Sequence, residues 1–188
     1  LAEARGNVDA NRQKLDMASA ALGQMGGERM RVFLTESADK LAGVSELRLH
    51  VDAFDMPVSE VIKTYSDLIA SMSHVADEIV THVEERQMAI MMAGYADVMA
   101  AKELAGQERG IGAGAIGAGD FTPAAFSAFV GKKQAEMVLI DRFLSVMPSE
   151  IALKSDAVLT TGVSPELAAM RAALVERDFT GLDAGVWF

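Results

Sequence analysis

Apolar residues recur at steps of three and four along nearly the whole chain. Val58, Ile62, Tyr65, Ile69, Met72, Ala76 and Ile79 form one series, and Phe126, Val130, Met137, Ile140, Leu144 and Met147 form another. This spacing puts each series on one helix face turned towards a core, and no stretch shows the alternation of a half-buried strand. The four prolines fall between the series. Thr122 before Pro123 and Ser164 before Pro165 read as helix starts. In each, a hydroxyl caps the first turn and a proline takes the first helical position, whose N–H has no partner inside the helix anyway. Thr81 with Glu84 reads as a capping box. Helices are expected over 1–24, 28–53, 58–80, 82–117, 123–147, 149–161 and 165–177, with connections short enough for antiparallel neighbours in bundles. The fold class is therefore all-α.

Composition narrows the choice of function. A chain of 188 residues is long enough for one or two domains with a real core. It has no cysteine, which excludes disulfides and thiolate metal sites and leaves the redox compartment open. A formal net charge of -10 with no basic patch argues against a nucleic-acid partner, so any anion must be met by a few positioned arginines. The most apolar stretch, MAIMMAGYADVMAA at 88–101, is shorter than a membrane span and carries Asp97. No signal peptide is visible. The chain opens on Leu1 and stops at GVWF, so it is expected to be an excised segment without its flanking helices, which are transmembrane if the parent is a membrane receptor.

One string invites an enzymatic reading. GAGAIG at 112–117 satisfies the G-x-G-x-x-G pattern of dinucleotide-binding loops, but such a loop follows a strand and opens a helix. Here YADVMAAKELAGQER, a strong helix former, leads directly into the glycines. The expected explanation is a helix that uses small residues to admit a close neighbour, at up to about 1 kcal/mol of propensity per glycine. The helical face through Arg109 carries Tyr95, Val98, Lys102, Ala105, Gly106, Gly112, Ala113 and Ile116, small and apolar around one guanidinium. An arginine turned towards a core must be paired, either with a protein carboxylate, the commoner case, or with a bound anion.

The segment KELAGQERG at 102–110, followed by a glycine-rich stretch and DFTPAAFSAFVGKKQAEMVLIDRF, resembles the signature of the nitrate- and nitrite-sensing (NIT) domain family. Lys102, Glu103, Ala105, Gly106, Glu108 and Arg109 match that family's K-E-x-A-G-x-E-R block, and Phe121, Phe126, Gln134 and Phe143 resemble its continuation. YSDLIASM from Tyr65 resembles the helix before the block. EARGNVDANR resembles the first-helix E-R-G motif, with Arg5 and Gly6 matching and Ala4 standing where glutamate is usual.

The resemblance implies a single all-helical sensory domain over 1–188, built as two four-helix bundles in series. It implies nitrate or nitrite bound between arginines of two helices. Arg109 and Arg5 are the implied ligand arginines, with Arg12 on the Arg5 face as a substitute, Gly106 and Gly112 shaping the pocket and Lys102 a nearby charge. Glu103 and Glu108 lie off the Arg109 face and are expected to pair with neighbouring helices or solvent. It further implies a homodimer in the periplasmic or extracellular part of a bacterial receptor, or in a cytoplasmic counterpart, passing a helix shift to an output module. No cofactor and no metal are expected. Glu78 and His82 stand one turn apart, but a solvated helix face is the simpler account of them. Tyr65 and Tyr95 are expected in the core. The competing readings are a purely structural helical dimerisation module and an enzyme that uses the glycine string.

Overall fold

The computed structural model describes residues 2–159 and 164–187. It is helical, with no strand among the described residues. The helices are α1 (Ala2–Met25), α2 (Gly27–Ala42), α3 (Val44–Ala53), α4 (Val58–Thr81), α5 (Arg86–Ala118), α6 (Pro123–Val146), α7 (Ser149–Leu159), α8 (Pro165–Glu176) and α9 (Ala184–Trp187). The end of the helix expected over 149–161 lies outside the described residues. The all-α expectation holds.

Local chemistry accounts for several helix ends. Thr122 accepts from Ala125 N at 3.1 Å and Ser164 from Leu167 N at 3.1 Å, each with proline next in line, so both proline-marked starts are as expected. The Thr81–Glu84 capping box does not form. Thr81 Oγ1 donates back to Glu78 O at 2.8 Å, ending α4, and the Glu85 carboxylate accepts from Gln87 N and Met88 N to open α5. The helix expected over 28–53 is interrupted at Gly43, which separates α2 from α3.

The chain divides into two compact units, Leu1–Ala89 and Ile90–Phe188. The core of the first is built on Met30, Leu34 and Val75, with Leu41, Val44 and Leu68 forming a second cluster, and Leu15 of α1 packing against both. In α4 the buried edge is Leu68, Ser71, Val75 and Glu78. This is one residue out of step with the Ile69, Met72, Ala76 series, so Val58, Ile69 and Met72 are exposed rather than in the core.

The core of the second unit holds Ala115, Phe121, Phe129, Leu174 and Trp187. Phe121 lies 5.6 Å from the Phe126 ring, 5.2 Å from Phe129 and 5.7 Å from Phe179. Aromatic pairs at such separations add to the apolar burial of this unit. Of the family-like residues on α6, Phe126 and Phe143 serve packing and Gln134 is exposed, and Met137 of the apolar series is exposed rather than in the core.

Candidate functional site

KELAGQERG lies in the middle of α5 with helix on both sides, so the glycine string after it is helical too. It does not follow a strand and forms no phosphate loop. The buried edge of α5 runs through Gly94, Asp97, Ala101, Glu108, Gly112 and Ala115. Arg109, expected to point at the core, is exposed, as are Lys102 and Tyr95. Glu108, expected off the core face, is fully buried, though it does pair with a neighbouring helix. The physical reason is that α5 is apolar on almost every side. Hydrophobic spacing therefore carries no register signal, and the choice falls to charges far away in sequence.

The first of these charges is Arg171 of α8. Its Nε donates to Glu108 Oε1 at 2.7 Å and its Nη2 to Oε2 at 2.8 Å, a two-pronged grip on a carboxylate with no solvent access. Burial acts to lower the Arg171 pKa, but the hydrogen bonds and charge of Glu108, with Glu136 beyond, leave it raised above the usual guanidinium value. Arg142 of α6 holds the buried Asp97 in the same way. Its Nε donates to Oδ2 at 2.7 Å and its Nη2 to Oδ1. Together these pairs turn the acidic edge of α5 inward.

The opposite edge carries Met88, Met91, Tyr95, Met99, Lys102, Gly106 and Arg109, all but Gly106 exposed. These positions fall within one stripe at helical spacing. Lys102 and Arg109 stand about 10 Å apart along the axis, two turns, with Gly106 between them. A Cβ at Gly106 would meet nothing within 4 Å, so this glycine leaves open space beside two cations. Gly112 differs. A Cβ there would lie 2.6 Å from Trp187 Nε1, so this glycine makes room for an indole ring rather than for a neighbouring backbone. The Trp187 indole N–H donates to the Arg109 carbonyl at 2.8 Å.

In the first unit, three arginines pin α1 to α2 and α3. Arg5 donates from Nη1 to Asp52 Oδ2 at 2.8 Å and from Nη2 to Oδ1 at 2.7 Å. Arg48 donates from Nη1 to both Asp9 oxygens. Arg12 donates to the Leu41 carbonyl at 3.1 Å, close to the interruption at Gly43. Arg5 and Arg12 do share a half-buried face of α1, but they are used differently. Arg5 grips a planar acid with both prongs, whereas Arg12 satisfies a helix end. The hydrogen bond to Arg5 holds the Asp52 carboxyl below the usual carboxylate range, and Arg5 in turn is raised.

Glu78 is not on a solvated face. It is 5% exposed, with Arg29 Nε 3.0 Å from Oε2 and His82 Nε2 3.2 Å from Oε1. Among the described residues no group of three or more His, Cys, Asp or Glu could hold a metal ion. A surface recess of about 390 Å³ on α2 is lined by Glu28, Arg31, Val32, Thr35, Glu36 and Asp39. Its acidic excess gives it the wrong sign for an anion. No helix among the described residues is long and apolar enough to cross a membrane.

The fold and these guanidinium forks define a class: an all-α bundle protein whose helices are tied together by arginine–carboxylate pairs. The family model for nitrate and nitrite sensing matches residues 1–188, the whole chain, and the chain belongs to this family of sensor domains. Comparisons with curated proteins and with solved structures give no match.

Proposed function

We propose that the chain is the ligand-binding domain of a bacterial signal-transduction receptor and that it binds nitrate or nitrite through Arg109, with Lys102 and Gly106 beside it on α5. The observation that carries this reading is the register of α5. Glu108 is locked inward by Arg171, and the next residue, Arg109, is exposed in a stripe with a second cation and an open-sided glycine. A guanidinium presents two parallel N–H donors to the edge of a planar oxyanion, which a lysine cannot do. A close charge pair is worth roughly 4 kcal/mol at intermediate dielectric before desolvation is subtracted, enough for a small monoanion to bias a helix arrangement. Such a bias is the signal passed to the output module. Arg5, which the family resemblance also implies as a ligand arginine, is tested by its own variant.

Placement outside the membrane and assembly as a homodimer belong to the same proposal. The exposed apolar stripe of Met88, Met91, Tyr95 and Met99 on α5 suits pairing with a second copy. The same stripe favours the second reading, a structural dimerisation module without a small ligand. A thermal-shift series separates the two. Nitrate or nitrite should raise the melting temperature by the linkage RT ln(1 + [L]/Kd), sulfate should do less, and Arg109→Ala and Arg109→Lys should both remove the response. A parent that ignores both anions leaves the structural module as the better account, and an Arg109→Ala variant that responds as a responsive parent does removes Arg109 from the anion site.

A further inference from the structure

We infer that Trp187 is the positioning residue for Arg109, and that it ties the state of the anion site to the C-terminal helix α9. The inference rests on the reading that Arg109 contacts the anion.

Trp187 is the single tryptophan of the chain and is 2% exposed. A buried indole N–H needs an acceptor, and this one takes the carbonyl of Arg109 at 2.8 Å. A helical carbonyl spends one lone pair within its helix, so the indole takes the other. The preceding residue is gripped as well. Arg171 of α8 holds the Glu108 side chain, and its guanidinium lies 5.9 Å from the centre of the Trp187 ring. Two consecutive residues of α5 are thus held by two C-terminal elements that touch each other. Rotating α5 at Arg109 would break a buried ion pair and a buried hydrogen bond together.

The sequence of α5 explains why such a clasp is needed. Gly106, Gly110, Gly112, Gly114 and Gly117 surround Arg109, each weakening the helix by up to about 1 kcal/mol relative to alanine. The segment that carries the guanidinium is therefore the softest part of α5. Its direction is set from outside by the indole, which sits where only a glycine at 112 leaves room. Asp183 in turn holds α9, its Oδ1 accepting from Gly185 N at 2.7 Å and Val186 N at 3.0 Å. An anion that shifts the helix backbone at Arg109 therefore acts on the Trp187 hydrogen bond. By linkage, an intact hydrogen bond favours the bound anion to the same extent.

The test combines nitrate calorimetry with the indole N–H resonance in a proton–nitrogen spectrum, where a single tryptophan gives a single signal. In the parent, nitrate should shift this resonance saturably and slow its exchange with solvent, and Arg109→Ala should abolish both effects. Trp187→Phe keeps most of the ring and loses the donor. It should remain helical and bind nitrate more weakly, by up to about tenfold, the ceiling that one net hydrogen bond sets. A parent that binds nitrate through Arg109 while its indole signal is unmoved, with Trp187→Phe binding equally well, overturns this inference and leaves the anion site standing. A parent that binds no nitrate or nitrite overturns both.

Discussion

Glu108 on α5 and Arg171 on α8 form a buried, two-pronged ion pair across 63 positions of sequence, with the Glu108 side chain at 0% exposure and Arg171 at 17%. Removing one partner of such a pair strands a charge in a medium that cannot solvate it. Arg171→Ala should therefore destabilise the second unit by about 3 kcal/mol, the lower end of the range for buried pairs because Arg171 keeps some contact with water. Replacing both by methionine should recover much of that loss. Urea unfolding of the single and double variants checks both statements.

Two glycines of the same helix should respond oppositely to alanine. Gly112→Ala drives a Cβ into the Trp187 ring, and overpacking of this kind costs about 1–3 kcal/mol. It should also move the tryptophan emission to longer wavelength as the indole is pushed towards water. Gly106→Ala meets nothing within 4 Å and should stabilise the helix by up to about 1 kcal/mol. If Gly106 lies beside the anion, the same change should weaken nitrate binding, which calorimetry reads separately from stability.

Asp52 occupies Arg5 with the planar O–C–O edge that a nitrate would offer as O–N–O. Asp52→Asn removes the charge that competes for the fork. Nitrate affinity should rise severalfold if Arg5 is a ligand, and Arg5→Ala in the same background should cancel the gain. Equal affinities in the parent, Asp52→Asn and Arg5→Ala would restrict the site to α5.

The same pair predicts a pH dependence. The Asp52 carboxyl is lowered in the folded protein by its hydrogen bond with Arg5. Its contribution to stability is therefore complete above the unfolded carboxyl value of about 3.9 and is lost as the pH falls through the lower folded value. Arg5 stays charged throughout this range. Melting temperatures of the parent and Asp52→Asn should differ at neutral pH and converge progressively in acid below about pH 4.

Assembly offers one more check. Light scattering should show a dimer that dissociates when Tyr95 and Met99 are changed to lysine, since this places charge on the exposed apolar stripe of α5.

Local signals were readable where a single cap side chain serves a helix start without a competitor. Thr122 and Ser164 cap their helices within three residues, and each proline follows its cap directly, so neither start depends on the rest of the fold. The Thr81–Glu84 pair has the same local form, yet Thr81 serves the end of α4 and Glu85 opens α5, because several nearby side chains compete for the same few N–H groups. α9 gives no periodic signal, being only 4 residues long, and it is held in place by burial of Trp187.

By itself, then, the sequence determined the all-α class, most helix positions and the family, because three-four spacing, caps and the KELAGQERG block are properties of neighbouring residues. It did not determine which way α5 faces. A helix apolar on nearly every side can turn about its axis at little cost in buried apolar area, so Glu108 or Arg109 could equally have been the inward residue. The tertiary structure decided it, through Arg171 and Arg142 on helices 63 and 45 residues away, whose guanidiniums bury the acidic edge of α5 and leave Arg109 outside. That choice depends on electrostatic pairing between distant segments, which no periodicity within α5 encodes.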